Sequence, residues 1–226
     1  MKTVTVIGSD VTSTATYTVG KILCIGRNYA EHIRELGNET PDTPVIFSKP
    51  ATSIIGNGGT VVIPPYSHDC HHEAELAVLI GNQGKDIPAE RARDHIAGYG
   101  VAIDLTLRDV QAELKRKGLP WEIAKGFDTA CPLSDFVPAD RVADPQSLRI
   151  RLSVNGQLRQ DGSTALMLHP VGRLISYLSG IFTLEPGDVI LTGTPAGVGP
   201  IVAGDDVAAE IPGVGTVRIT VGRSAI

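Results

Sequence analysis

Apolar runs in this chain are short and are punctuated by glycine, proline and polar pairs. Residues 3–7 and 15–19 alternate threonine with apolar residues or tyrosine, the period-two pattern of a small hairpin. Lys21 to Ile25 reads as a buried strand leading into Gly26. Asn28 then caps a short helix, with Glu31 in the capping-box position three residues on. Residues 45–48 and 60–63 are predicted strands, the second stopped by Pro64-Pro65. Residues 74–80 and 98–104 are two more, and between them Pro88 opens a helix with Ala92, Ile96 and Ala97 on its apolar side. A helix runs from about Thr106 to Lys117 and stops at Gly118. Residues 148–154 alternate, and Asn155-Gly156 is a hairpin turn. Residues 164–179 keep helical spacing, with Pro170 set to kink or split the segment. Short strands at 188–192, 206–210 and 216–221 complete the pattern.

Acids interrupt the two central strands. Glu73 and Glu75 stand two residues apart beside the apolar run Ala74–Ile80, so on a strand they face one way. At about 5 Å and an effective dielectric of about 20 they repel by roughly 3 kcal/mol. Water, a proton or a cation must relieve that. A third acid, Asp104, closes the run from Gly98. Three carboxylates converging from two strand ends make a hard-oxygen site suited to Mg²⁺ or Mn²⁺. Alternatively the glutamates lie on a solvated edge and Asp104 only caps the next helix. Zinc is disfavoured, because the adjacent His71 and His72 point to opposite faces of a strand.

Composition agrees with a strand-rich, turn-rich fold: aromatics make up only 4%, against 25 glycines and 15 prolines. The formal net charge is −5, and no basic cluster exceeds Lys115-Arg116-Lys117, which reads as a helix C-terminus complementing the dipole. Nucleic acid is thereby excluded as a partner. Cys24, Cys70 and Cys131 fit neither a zinc site nor a disulfide framework, which points to a reducing compartment. With no signal-peptide pattern and no apolar run near the roughly 18 residues of a membrane span, the expectation is a soluble cytoplasmic protein.

Other side chains offer chemistry at matched spacings. His32 and Glu35 sit at i and i+3, where a carboxylate can orient an imidazole as general base. They are equally compatible with an ordinary surface pair. The bracketing Gly26, Gly37, Asn38 and Pro41 suit a hinged lid. Arg108 and Gln111 repeat the spacing after Asp104, bordering the same cavity or forming a local helix pair. Lys125, after the only tryptophan, and Lys49 are each a positioned electrophile or a solvated loop residue. The glycine-rich run from Thr192 to Gly199 follows a strand and could hold an anion with its N–H groups, although it lacks the Walker ending.

Taken together the chain resembles the fumarylacetoacetate hydrolase family in its short form, from about Lys21 onward. The carriers are Gly26-Arg27-Asn28-Tyr29-Ala30-Glu31-His32, Phe47-Ser48-Lys49-Pro50, His71-His72-Glu73-Ala74-Glu75-Leu76, Asp104 through Gln111, Ala124-Lys125-Gly126-Phe127-Asp128 and Leu191 through Gly199. The likeness is to acylpyruvase and oxaloacetate-processing members. It implies an α+β, β-rich fold: a mixed β-roll with short flanking helices over residues 21–226, preceded by the hairpin of residues 1–20. It implies a homodimer and one Mg²⁺ or Mn²⁺ held by Glu73, Glu75 and Asp104. His32, Glu35 and Lys125 would be catalytic, and Arg27, Arg108, Gln111, Gly193 and Thr194 would bind substrate. Larger members supply a fourth metal carboxylate from the segment matching Gly26-Arg27-Asn28, where this chain has no acid. More metal positions should therefore be open to a chelating 2-oxo acid.

The expected function is metal-dependent chemistry on a short 2-oxo acid through a stabilised enolate. Acylpyruvate C–C hydrolysis is placed first. Oxaloacetate tautomerisation or decarboxylation, and isomerisation of 2-hydroxyhepta-2,4-diene-1,7-dioate, are alternatives on the same site. A non-catalytic binder of metal or 2-oxo acid is the reading from another class, and the intact set of His32, Glu35 and Lys125 argues against it.

Overall fold

The apolar run Ala74–Ile80 is a strand with every residue buried, inside a six-stranded mixed sheet. The structure, a computed structural model, describes residues 1–8 and 14–224. Across the sheet the order is Val137–Pro138, Ile96–Ile103, Ala74–Ile80, Val189–Leu191, Ile22–Gly26 and Val45–Lys49. The pair Val189–Leu191 and Ile22–Gly26 is parallel and the other neighbours are antiparallel. A second, five-stranded sheet takes Gln157–Ser163, Arg149–Val154, Asp206–Ile211, Gly215–Arg223 and Thr60–Ile63 in that order.

The two sheets share one core. Leu76, Val78, Val101 and Ile103 of the first pack in the same cluster as Ile150, Leu152, Val207 and Val217 of the second. The opposite face of the first sheet is covered too: Ala77, Leu79, Cys24 and Leu191 meet Val4, Val6 and Phe136. Val4 and Val6 come from the hairpin Thr3–Ile7 with Thr14–Thr18, a two-stranded sheet of its own. A strand covered on both faces has no need of polar alternation, which explains the continuous apolar run. The architecture is the β-rich α+β roll that the family resemblance implies.

Among the described residues four short α-helices flank the sheets: α1 (Ala30–Glu35), α2 (Arg108–Lys117), α3 (Glu122–Lys125) and α4 (Val171–Ile181). Pro170 splits the 164–179 segment: residues 164–166 form a 3₁₀ turn before it, and α4 begins just after it, where the missing N–H costs nothing. Two expectations change. Residues 89–95 form a 3₁₀ segment, and Ile96 and Ala97 belong to the following strand because Ile96 pairs with Ile80. Asn28 does not cap α1; Tyr29 holds that boundary with no side-chain cap. The Asn28 amide instead donates to Thr192 O (2.8 Å) and His169 O (3.1 Å), and accepts from the His169 N–H (2.8 Å). No helix among the described residues is long and apolar enough to cross a membrane.

Candidate active site

Register brings the acids together. Ala74 pairs with Ile103, and the next rung is the Asp104 N–H donating to Glu73 O at 2.8 Å. Glu73 and Asp104 thus face each other where the ladder ends, while Glu75 sits one step inside it opposite Ala102. All three are buried, and each offers a carboxylate oxygen within 4.8 Å of the others. The solvated-edge reading of the glutamates is excluded. So is the capping role for Asp104, since Leu107 stands at the start of α2.

Cations compensate two of the acids and leave the third. Lys125 Nζ lies 2.9 Å from Glu73 Oε2 and 2.7 Å from Asp104 Oδ2. Lys49 Nζ lies 2.8 Å from Asp104 Oδ1 and also donates to Leu105 O (3.1 Å), Ala130 O (3.0 Å) and Lys125 O. Both lysines are therefore buried and positioned, not solvated. Arg108 donates to Glu73 Oε1 and, at 2.8 Å, to Gln111 Oε1. Burial pushes the Glu73 carboxyl up, but Lys125 and Arg108 overcome it and hold it well below the usual range. Glu75 has no ion pair among the described residues; only the Gly193 N–H reaches its Oε2, at 2.6 Å. Burial, followed by Asp104 and Glu73, pushes its carboxyl well above the usual range.

That imbalance is what a divalent cation corrects. Three hard-oxygen donors converge, and among the described residues one carboxylate lacks a counter-charge and the buried Tyr29 hydroxyl has no partner, its pKa raised by burial and then by Glu75. The residues present fit Mg²⁺ or Mn²⁺.

A small cavity, ≈ 40 Å³, opens beside the acids. Arg27, His32, Glu73, Arg108, Gln111 and Lys125 line it, with Phe47 and Trp121 as its aromatic wall, their ring centroids 5.9 Å apart. His32 is 6% exposed and its Nδ1 lies 3.1 Å from Glu35 Oε2, so the surface-pair reading fails. Glu35 stands behind the imidazole, and its Oε1 accepts the Gly197 N–H at 2.9 Å. Arg27 has a left-handed backbone (φ 60) and donates to Asn38 Oδ1 at 3.1 Å, which ties together the two ends of the segment carrying α1.

The run Thr192 to Gly199 passes over the strand ends. Gly193 has φ +96, and a Cβ there would lie 2.8 Å from Asn28 Cβ, so only glycine fits. Gly193 and Thr194 do not line the cavity. The Thr194 hydroxyl donates to Ala74 O (2.8 Å) and accepts from Gln160 Nε2 (2.8 Å), and Gln160 also accepts the Ala74 N–H at 3.0 Å. These groups fix the backbone between Glu73 and Glu75. Sequence reasoning passed over Gln160 and Tyr29, for which no local pattern exists. It also passed over Lys115, which lines the cavity with its Nζ 5.2 Å from the Trp121 ring centroid. Its i+4 spacing from Gln111 was the available signal.

Comparison with known proteins places this geometry among relatives. Residues 21–222 match the model for the fumarylacetoacetate (FAA) hydrolase C-terminal family. The chain is 50% identical over 203 residues to a mouse protein named oxaloacetate tautomerase FAHD1, mitochondrial, covering 90% of this chain and 92% of that one. It is 51% identical to the oxaloacetate tautomerase YcgM of Escherichia coli K12, covering 87% and 90%. Among solved structures, the fumarylpyruvate hydrolase of Pseudomonas aeruginosa, in complex with Mn²⁺ and pyruvate, superposes with a TM-score of 0.93 at 37% identity, covering 99% of this chain and 96% of the other. A match that spans nearly the whole roll, the three acids and the segment carrying α1 included, establishes that the chain belongs to the fumarylacetoacetate hydrolase family.

Proposed function

We propose that this protein interconverts the keto and enol forms of oxaloacetate, with one divalent cation held by Glu73, Glu75 and Asp104. The charge of the cavity carries the reading. Arg27, Arg108, Lys115 and Lys125 line it, and Glu73 is the single carboxylate among its lining residues. Such a lining favours a short acid bearing two negative charges. The names of the mouse and Escherichia coli relatives support the same reaction.

Tautomerisation moves one proton between C3 and the C2 oxygen and makes or breaks no other bond. Bound Mg²⁺ or Mn²⁺ supplies Lewis-acid stabilisation of the charge developing on that oxygen, worth several kcal/mol. Lys125, fixed by Glu73 and Asp104, adds an ammonium on the same side. His32 exchanges the C3 proton. Its Nδ1 is held by Glu35, which leaves Nε2 for that role. Arg108, oriented by Gln111 and Glu73, takes a substrate carboxylate, and Phe47, Trp121 and Leu36 keep water out.

Acylpyruvate hydrolysis, placed first by the sequence, stands second. The likeness to the fumarylpyruvate hydrolase favours it, and the His32–Glu35 pair would then activate water. It needs in addition an attacking water at the distal carbonyl, whereas the cations that line the cavity suit a distal carboxylate better than an uncharged acyl group. The deciding experiment follows enol-oxaloacetate and acetylpyruvate absorbance with Mg²⁺-loaded protein. Enol decay well above the spontaneous rate, with slower acetylpyruvate loss, supports the tautomerase. The reverse order replaces it with the hydrolase.

We also propose that two copies pair along the edge strand Val45–Lys49. Ile46 and Phe47 there are half-buried, and an apolar groove of ≈ 850 Å³ runs beside them to Ile123 and Tyr66, both exposed. Chains normally protect such an edge, exposed apolar patches mark interaction sites, and a two-fold dimer is the commonest assembly of identical chains. A monomeric mass by light scattering at micromolar concentration would discard the pairing.

A further inference from the structure

Arg108, Gln111 and Lys115 stand at i, i+3 and i+7 on α2 and form one stripe along the cavity. At the inner end Arg108 is held by Glu73 and Gln111, next to the acids. The outer end has no such acceptors among the described residues. Lys115 has no ion pair among the described residues and meets only the Trp121 face. Opposite it, Arg27 has no carboxylate partner among the described residues either, and only Asn38 accepts from it. Its backbone sits in the left-handed region, which is strained for a residue other than glycine. A strained arginine and an unpaired lysine, both lining one small cavity beside three carboxylates that fit a metal, leave positive charge that no carboxylate among the described residues pairs with.

We propose that Lys115 and Arg27 form the subsite for the substrate's second carboxylate, and that Lys115 sets the preference for dianionic over monoanionic 2-oxo acids. The inference rests on the tautomerase reading and adds to it the residue that selects the substrate. Oxaloacetate places its C1 carboxylate and C2 oxygen at the metal end. Its C4 carboxylate then points along the stripe toward Lys115. The aromatic wall fits this division, because the Trp121 ring faces the Lys115 ammonium from one side, 5.2 Å from its centroid, and no carboxylate among the described residues pairs with that ammonium. The competing account makes Lys115 a helix-end cation that merely packs on Trp121. On that account the lysine would not distinguish one substrate from another.

The test pairs enzyme variants with substrates. Oxaloacetate is compared with its 4-ethyl ester, which keeps the chelating end and loses the distal charge. In the wild type the ester should bind on the order of tenfold more weakly, the usual worth of a charge-assisted hydrogen bond. In Lys115→Met the ratio of the two affinities should collapse toward one, chiefly through KM, with kcat changed little. Lys115→Arg should restore most of the ratio. Dissociation constants come from titration calorimetry on the Mg²⁺-loaded protein, and turnover is measured separately. If the wild type turns over neither compound, the tautomerase reading fails, and the binding ratio still decides the subsite. A Lys115→Met protein that weakens both ligands equally, or neither, overturns the proposal.

Discussion

The Gly197 N–H donates to Glu35 Oε1 at 2.9 Å, so the carboxylate that orients His32 is also bonded to the glycine-rich loop. Four residues earlier in that loop the Gly193 N–H holds Glu75. The sequence marked this loop as an anion holder, and the anions it holds are the chain's own. Gly197, at φ +96, would place a Cβ 2.3 Å from Arg159 O, so the arrangement depends on glycine.

The dyad prediction follows from that relationship. General-base assistance is typically worth about 10²–10⁴-fold. His32→Ala should lower oxaloacetate tautomerisation, and any acylpyruvate hydrolysis, by at least about 10²-fold. Oxaloacetate decarboxylation needs the base less and should fall less. Glu35→Ala should follow His32→Ala, because it removes both the imidazole's partner and the tie to Gly197. Equal, small losses in all three reactions would make His32 a bystander.

Metal removal should be visible in stability as well as activity. A ligand that binds only the folded state at about 100 times its dissociation constant adds about 2.7 kcal/mol. For a chain of this size that raises Tm by about 5–10 °C. Mg²⁺ should therefore raise the Tm of EDTA-treated protein, and Glu75→Gln should abolish the response. Because Glu75 has no ion-pair partner among the described residues, Glu75→Gln should leave the metal-free Tm unchanged or higher. A metal-free variant that melts well below the metal-free wild type would show that Glu75 is held by partners other than a cation.

Lys49 gives a stability prediction of opposite sign. Its ammonium is fully buried against Asp104 and three carbonyls. Breaking a buried pair by removing one partner typically costs about 3–5 kcal/mol. Lys49→Met should lose about that much in denaturant unfolding of the metal-free protein. A loss under about 1 kcal/mol would mean that water takes over the carbonyls.

Much of this was legible in the sequence, and the misses share a cause. The strands at 74–80 and 98–104 could be read because both faces are buried, and the site could be read because acids stood where apolar residues belong. The helix expected after Pro88 failed at its end: pairing of Ile80 with Ile96 and Leu79 with Gly98 draws that apolar stretch into the ladder. Asn28 carries a genuine capping pattern, yet its amide serves Thr192 and His169, both more than a hundred residues away. Lys115 read as one of three cations complementing the dipole at a helix C-terminus. Only its tertiary neighbours, Trp121 beside it and Arg27 across the cavity, separate it from Arg116 and Lys117, which pair with Glu113 on the helix surface.

Lys115 also provides the pH prediction. Burial, then the nearby charges of Arg27, Arg108 and Lys125, lower its pKa to about 8, with Glu73 opposing them. The ligand-free lysine is therefore mostly charged below about pH 8 and neutral above it. A dianion bound beside it favours the charged form and raises that pKa. The sign is then fixed: binding takes up a proton just above pH 8, and takes up little well below it. Oxaloacetate affinity should fall as pH rises past that point, by at most about tenfold per pH unit. Calorimetry in buffers of different ionisation enthalpy reads the uptake directly. Lys115→Met should remove it, and the 4-ethyl ester should show less of it. Proton uptake that survives in Lys115→Met would assign the titration to another group and leave Lys115 without this role.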